Sequence, residues 1–324
     1  MVKRWAVGID FGGTNIKLGL VDPTGHVVGA RSVSSVGISQ PRPFVDAVTR
    51  LVDELARSVG VTTRQLCGVG VGAPGPTDAS RGLVHLLVNV PGWDRVPLRR
   101  RLESRLRCPC AVDNDANLFT LGEWRWGAGR RATHLIGLTL GTGVGGGVVV
   151  GGALYRGSSG TAGEFGHVLV DPKGRRCGCG ARGCLEAQIG TAAILEMGQQ
   201  AIRRGAQPLG RLVERTPGRR LTPALISEAA ARGDRRAREV WAQVGQWLGV
   251  GLAGIVNALN PDRIVIGGGV AAAWRWFFPT AAQVVRTRPL QVSAKAVRVV
   301  RARLGNDAGI VGAAVLVWNE FGAR

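Results

Sequence analysis

Acid is scarce in this chain, lysine nearly absent, and long uncharged apolar runs are missing from its first residues. Only 22 Asp and Glu stand against 42 Lys and Arg, giving a net charge of +20. Lysine supplies four of the basic residues, so the other 38 are arginines. Such a field attracts anions. A nucleic-acid binder, however, concentrates charge on one element and interleaves aromatics that stack on bases. Here arginines are spread along the chain in short clusters such as Arg99 to Arg101 and Arg203 to Arg204, and aromatics make up 5% of residues. A solvated basic surface is the simpler reading, and nucleic acid is not expected as a partner. Met1 to Asp10 runs from a basic pair straight into an apolar strand, without the long apolar stretch of a signal peptide or membrane span. The expectation is a cytoplasmic protein with no membrane partner. Its 324 residues and 45% hydrophobic content suit two domains of ordinary size.

Six cysteines could frame disulfides, but a cytosolic chain keeps thiols reduced. Cys67, Cys108 and Cys110 sit beside apolar segments and read as inert core thiols. Cys177, Cys179 and Cys184 crowd into eight residues, and His167 precedes them. A Cys₃His set fills all four tetrahedral positions of zinc with protein atoms and leaves no place for an activated water, so the zinc expected here is structural.

Hydrophobic patterning predicts an α/β chain. Strands over Trp5–Ile9, Ile16–Val21 and His26–Val33, parted by Gly/Asp turns, make an antiparallel start. A helix follows over Phe44–Val59, then a buried strand over Leu66–Gly72, a helix over Leu98–Leu106 and a short strand over Cys110–Val112. The order recurs after residue 133, with a second hairpin over His134–Leu140 and Gly145–Val150. A long amphipathic helix ends at Asn260-Pro261, a strand follows over Arg263–Ile266, and a last helix spans Asp307–Phe321. Two similar halves suggest a cleft between them.

Glycine is placed where phosphate chemistry wants it. In Asp10-Phe-Gly-Gly-Thr14, Gly12 and Gly13 can bring backbone N–H groups near a phosphate, Thr14 adds a hydroxyl, and Asp10 is placed to orient a magnesium ion. A purely structural turn reads equally well from this segment alone. Gly141, Thr142 and Gly143 repeat the design in the second half, and Gly267, Gly268 and Gly269 follow a buried strand where adenosine could approach. Three such groups at equivalent strand ends favour a nucleotide triphosphate. Asp115, between a short strand and a helix, could act as a base or as a helix N-cap. Glu164 and Glu186 flank the ligand set, so the metal would hold both carboxylates at one spot.

This arrangement resembles the actin-like ATPase (ribonuclease H-like) fold, two α/β domains around a cleft. Asp113-Asn-Asp-Ala-Asn117, Glu164-Phe-Gly-His167 and Cys177-Gly-Cys-Gly-Ala-Arg-Gly-Cys184 narrow the resemblance, over nearly the whole chain, to the ROK family of kinases and repressors. The resemblance implies that Asp115 is the catalytic base and that Asn114, Glu164, Glu186 and His167 hold the sugar, His167 using its second ring nitrogen. Ala73-Pro-Gly-Pro76 and Val88-Asn-Val-Pro-Gly-Trp93 are similar to the family's other sugar loops, which adds Gly75 and Asn89. Residues 1–116 with 305–324 are then the smaller domain, and 117–304 the larger one carrying the zinc loop. The implied activity is ATP- and Mg²⁺-dependent phosphorylation of a hexose, glucose first by likeness to bacterial glucokinases. Fructose, mannose or an N-acetylhexosamine are the alternative substrates, and polyphosphate the alternative donor. A sugar-responsive repressor is the alternative of another class. It would carry a DNA-binding segment ahead of the kinase-like part, for which a hairpin starting at residue 5 leaves no room. Family members are usually dimers or tetramers, so a homodimer or homotetramer is expected.

Overall fold

The computed structural model describes residues 5–13, 15–38, 40–87 and 92–322. Thr14 and Asn89 of the expected site lie outside the described residues. Contacts divide the chain into two compact units, one of Met1–Gly137, Gly147–Gly163 and Ala302–Arg324, the other of Leu138–Gly146 and Glu164–Arg301. Each holds to the α/β pattern.

The first unit opens with β1 (Ala6–Phe11), β2 (Asn15–Val21) and β3 (Val27–Ser34), then α1 (Pro41–Ser58) and β4 (Gly68–Ala73). Next come β5 (Thr77–Asp78), β6 (Leu83–Leu86), β7 (Asp94–Val96), α2 (Leu98–Leu106), β8 (Cys110–Asn114) and α3 (Asp115–Arg125). The main sheet runs β3-β2-β1-β4-β8. Antiparallel pairing of β1 with β2 sets Asp10 opposite Lys17, and parallel pairing with β4 brings Asp10 beside Gly72. Helix α1 starts with proline in its first turn, where a missing N–H costs nothing, and buries Phe44, Val48, Leu51, Val52 and Leu55 on one face. The antiparallel sheet β5-β6-β7 is an addition the sequence pattern did not reveal, because its strands are only two to four residues long.

The remaining strands are β9 (Leu135–Leu140), β10 (Val144–Val150), β11 (Ala153–Tyr155), β12 (Arg263–Gly267) and β13 (Arg298–Arg301). They form a second sheet in the order β11-β10-β9-β12-β13, with β12 and β13 parallel. Both sheets thus follow one plan, a three-strand meander continued by two further strands. The division between units passes through the β9–β10 hairpin, whose tip belongs to the second unit. Between β11 and β13 lie α4 (Leu185–Ile189), α5 (Thr191–Arg203), α6 (Gln207–Glu214), α7 (Pro223–Ala231), α8 (Arg235–Leu259), α9 (Trp274–Thr287) and α10 (Gln291–Ala296). Helix α8 stops where Asn260 turns left-handed, at φ 41°, before Pro261. No helix among the described residues is long and apolar enough to cross a membrane.

The last helix, α11 (Ala308–Phe321), returns to the first unit and lies on bare backbone. A Cβ added at Gly8 of β1 would come within 1.9 Å of the Ile310 carbonyl oxygen, and one at Gly70 of β4 within 2.2 Å of that of Ala313. On its other side α11 meets α3, where a Cβ at Gly312 would sit 1.7 Å from the Leu118 carbonyl oxygen. This contact keeps α3 whole within the first unit, whereas the sequence boundary at 116 cuts through it. Glu123 of α3 fixes the loop that leads into α11. Its fully buried carboxylate accepts from the amides of Ala128 at 2.7 Å, Arg303 at 2.9 Å and Leu304 at 2.7 Å. Charge-assisted bonds of this kind are the strong ones.

Substitution at Gly312 tests the close packing. Gly312→Ala is expected to destabilise the protein by about 1–3 kcal/mol through overpacking. Gly254→Ala on α8, whose added Cβ meets nothing within 4 Å, is expected to stabilise by about 0.5–1 kcal/mol through helix propensity. Thermal melts of the two variants should therefore shift in opposite directions.

Candidate functional site

Within the first unit, Asp10 is the penultimate residue of β1, and the tight turn after the strand is closed by the Gly12 amide, which donates to the Asn15 carbonyl at 3.0 Å. That donor is spent inside the turn. Gly13 differs, because a Cβ there would meet no protein atom within 4 Å. Protein packing does not ask for glycine at that position. Asp10 is largely enclosed, with Gly309 at the start of α11 close enough that an added Cβ would lie 3.1 Å from its Cγ. Burial pushes its carboxyl above the usual range, and Lys17 opposes the shift.

Sequence reasoning left Asp115 between base and helix cap. The structure gives the cap to its neighbour. Asn114 Oδ1 accepts from the amides of Ala116 at 2.9 Å and Asn117 at 3.2 Å, while its Nδ2 donates to the Gly75 carbonyl at 3.1 Å. Expected sugar-site residues Gly75 and Asn114 are thereby brought together, with the side-chain amide of Asn114 already engaged on both sides. Asp115 is the first residue of α3, half-buried, its Oδ1 accepting from the Ala116 amide at 2.8 Å. Beneath them Asp113 is buried. It accepts from Arg156 Nε at 2.8 Å, Asn117 Nδ2 at 2.9 Å and the Asn114 amide at 2.7 Å. No local pattern singled out Arg156, one arginine among many. Its ion pair with Asp113 is made only by the fold.

In the second unit the hairpin at the β9–β10 tip carries Gly141, Thr142 and Gly143. The Gly141 amide donates to the Gly143 carbonyl at 2.9 Å, and the Gly141 carbonyl accepts from the Thr191 hydroxyl at 2.7 Å. A Cβ at Gly141 would meet nothing within 4 Å, but one at Gly143 would fall 2.2 Å from Glu186 Oε2. That oxygen accepts from the Val144 amide at 3.0 Å. After β12, Gly268 adopts φ +86° and passes so close to Leu140 that a Cβ would lie 2.3 Å from its carbonyl oxygen. Gly267 ends the strand, and Gly269 faces open space.

His167 and the three cysteines converge, their ligand atoms all within 4.8 Å of one another. Cys177 Sγ lies 3.6 Å from His167 Nδ1, and Cys179 Sγ 3.7 Å from Cys184 Sγ. Zinc–sulfur and zinc–nitrogen bond lengths put the edges of a tetrahedron at about 3.8 Å for S–S and about 3.6 Å for S–N, so the donor set fits that ion. Burial pushes Cys184 up to about 12 and also raises Cys177, while the amide of Ala181 lowers exposed Cys179. A cation among the sulfurs offsets that cost. The other ring nitrogen of His167, Nε2, lies 4.0 Å from Glu164 Oε2, and Glu186 Oε1 lies 3.8 Å from Cys177 Sγ. Glu164, His167 and Glu186 are thus gathered around the cluster.

The chain matches the model of the ROK family over residues 6–320. It is 35% identical over 318 residues to a glucokinase of Halalkalibacterium halodurans, covering 98% of this chain and 96% of that one. A ROK family glucokinase from Streptomyces griseus, solved in complex with glucose and AMPPNP, shares the fold with a TM-score of 0.81. Identity with it is 34%, and coverage is 96% of this chain and 98% of that one. The DNA-binding transcriptional repressor Mlc of Escherichia coli is 29% identical, matched over 93% of this chain and 72% of its own.

Asp10 gives a stability test that needs no assay of function. Because burial raises its folded-state pKa, the charged carboxylate costs stability at neutral pH, and the cost disappears as pH falls toward the ordinary carboxylate value of about 3.9. Asp10→Asn should melt above wild type at pH 7.5. The gap should narrow steadily in melts taken down to pH 4.5.

Proposed function

The chain belongs to the ROK family, and from that premise we propose that it transfers the terminal phosphoryl group of ATP to a hexose, glucose first. The observation that carries the reading is the position of Glu186. One carboxylate joins the Cys₃His cluster, 3.8 Å from Cys177 Sγ, to the glycine hairpin, 3.0 Å from the Val144 amide. A sugar-holding group and a phosphate-holding loop are thereby registered to each other. Glycines that no packing requires, Gly13, Gly141 and Gly269, support close approach of a nucleotide. The glucose and AMPPNP held by the Streptomyces griseus relative favour the same ligands here.

In this mechanism Asp115 takes the proton from the C6 hydroxyl as that oxygen attacks the γ-phosphorus, and ADP leaves. Asn114, by capping α3 itself, leaves the first helical position to a carboxylate with another task. Asp113, clamped by Arg156, holds that corner rigid. Asp10 would orient Mg²⁺ on the phosphates, and raised by burial it gains most from a cation nearby. His167, Cys177, Cys179 and Cys184 would hold a zinc ion that supplies structure and no activated water. Glu164, His167 and Glu186 would then take the sugar hydroxyls, and Gly75 and Asn89 remain the sugar-loop residues that the family resemblance implies. We place the reaction in the cytoplasm, where ATP is made and thiols stay reduced, and expect a homodimer or homotetramer.

The net charge of +20 favours polyphosphate as the second candidate donor. A repressor would need no base at Asp115, which is why the kinase reading is preferred. A coupled assay with ATP and a sugar panel should show turnover on glucose, and none on any hexose would sink the proposal. Turnover with polyphosphate alone would transfer it to the other donor. Asp115→Ala should lower kcat by about 10²–10⁴-fold with sugar affinity retained. Chelation that demonstrably strips zinc should raise the KM for sugar and lower the melting temperature; an unchanged KM would remove the metal from sugar binding.

A further inference from the structure

A cavity of about 330 Å³ in the second unit lies between α5 and α8 and takes Gln188 of α4 into its lining. Its size falls within the range of small-molecule sites. Val240 and Trp247 of α8 supply apolar wall, and three arginines, Arg175, Arg204 and Arg236, are among the other lining residues. Among the described residues Arg204 and Arg236 make no ion pair, while Arg175 reaches Glu196 only at 3.5 Å and keeps its buried Nη1 without a hydrogen-bond partner. Gln188, only 6% exposed, lines the same cavity with a buried Nε2 that also has none. Both of these atoms are shut off from solvent, and a Cβ added at Gly174 would fall 2.1 Å from Gln188 Nε2, so the cationic surface open to a ligand is that of the exposed Arg204 and Arg236 beside Arg175.

The one acidic residue in the lining, Glu239, is already paired with Arg235 at 2.9 Å, and Glu196 reaches Arg175 from outside the lining. The balance of the wall is therefore anionophilic. Guanidinium groups match the geometry of phosphate oxygens, and an amide beside an indole suits a small polar body attached to that phosphate. We infer that this cavity is an effector site for a small organic phosphate monoester, separate from the site proposed for sugar and ATP.

Its wall is continuous with the Cys₃His loop. Arg175 stands two residues before Cys177, and its carbonyl accepts the Gly183 amide at 2.9 Å; Gln188 follows Glu186 by two residues on α4. An anion that draws Arg175 inward acts directly on the segment carrying Cys177. The binding needs nothing from the kinase reading, whereas the effect on sugar affinity rests on it.

Titration calorimetry on the full zinc-loaded chain, in the presence of excess glucose and AMPPNP, tests this with glycerol 3-phosphate as probe. Saturable binding of one equivalent with Kd at or below about 1 mM, roughly the weakest affinity worth 4 kcal/mol, is expected. The exposed double variant Arg204→Ala/Arg236→Ala should lose it tenfold or more, while Arg57→Ala/Arg64→Ala elsewhere keeps it. Saturating probe should also shift the KM for glucose at least threefold in wild type and not in the first variant. No binding, equal loss in both variants, displacement by AMPPNP, or equally tight binding of inorganic phosphate would each overturn the assignment. A changed solution mass in the first variant would give the cavity to a second copy of the chain, and also overturn it. Binding without any hexose phosphorylation would leave the site standing and the kinase reading fallen.

Discussion

The first unit depends on one close contact, that of a C-terminal helix laid directly on backbone. Four glycines make it, Gly8 and Gly70 under α11 and Gly122 and Gly312 between α11 and α3. With side chains there, the carbonyls of Ile310, Ala313, Ala308 and Leu118 would be struck. Interiors are packed too densely to absorb such intrusions without shifting whole elements. The consequence reaches the chemistry. Asp10 lies near the end of the strand that α11 covers, and Asp115 begins the helix that α11 braces, so a shift in this contact moves both carboxylates. Glu123 completes the arrangement by tying the entrance of α11 to the end of α3 with backbone hydrogen bonds.

The second unit organises its polar groups around a different constraint, the need to bring three thiols and an imidazole together. Burial, with the neighbouring sulfurs adding to it, pushes Cys184 up to about 12, so that thiol resists ionisation until a cation is near. A cation turns the repulsive cluster into a rigid one, and rigidity is what Glu164 and Glu186 need if they are to present carboxylates to a sugar. Glu186 is the shared member. Its two oxygens face different neighbours, Cys177 on one side and the Gly143–Val144 turn on the other. The absence of a side chain at Gly143 is what admits that carboxylate.

The arginine excess divides into several kinds once the side chains are placed. Arg156 is structural, neutralising a buried aspartate. Arg235 and Arg232 make exposed helical pairs with Glu239 and Glu228, which solvent screening leaves weak. Arg175, Arg204 and Arg236 line one cavity. Composition alone predicts only the sum of these fields.

Much of this molecule was legible in its sequence because the signals were local. Helix α2 spans Leu98–Leu106 as its apolar spacing predicts, and α8 ends at Asn260 before proline. The Cys₃His set could be read from spacing because a chelate closed by one short loop brings its own ligands together. What spacing could not reveal were partners joined across the chain. Asp113 and Arg156 stand 43 residues apart, Glu186 and Val144 42 apart, and Glu123 reaches Leu304 over 181. The choice between cap and base at Asp115 was of the same kind, since both residues are plausible caps until backbone angles select Asn114. Sequence determined which chemistry was present, through residue types whose local geometry follows from short-range sterics. Tertiary structure decided which of those groups were consumed in holding the fold and which remained to act, because only long-range packing sets how close two distant side chains can come.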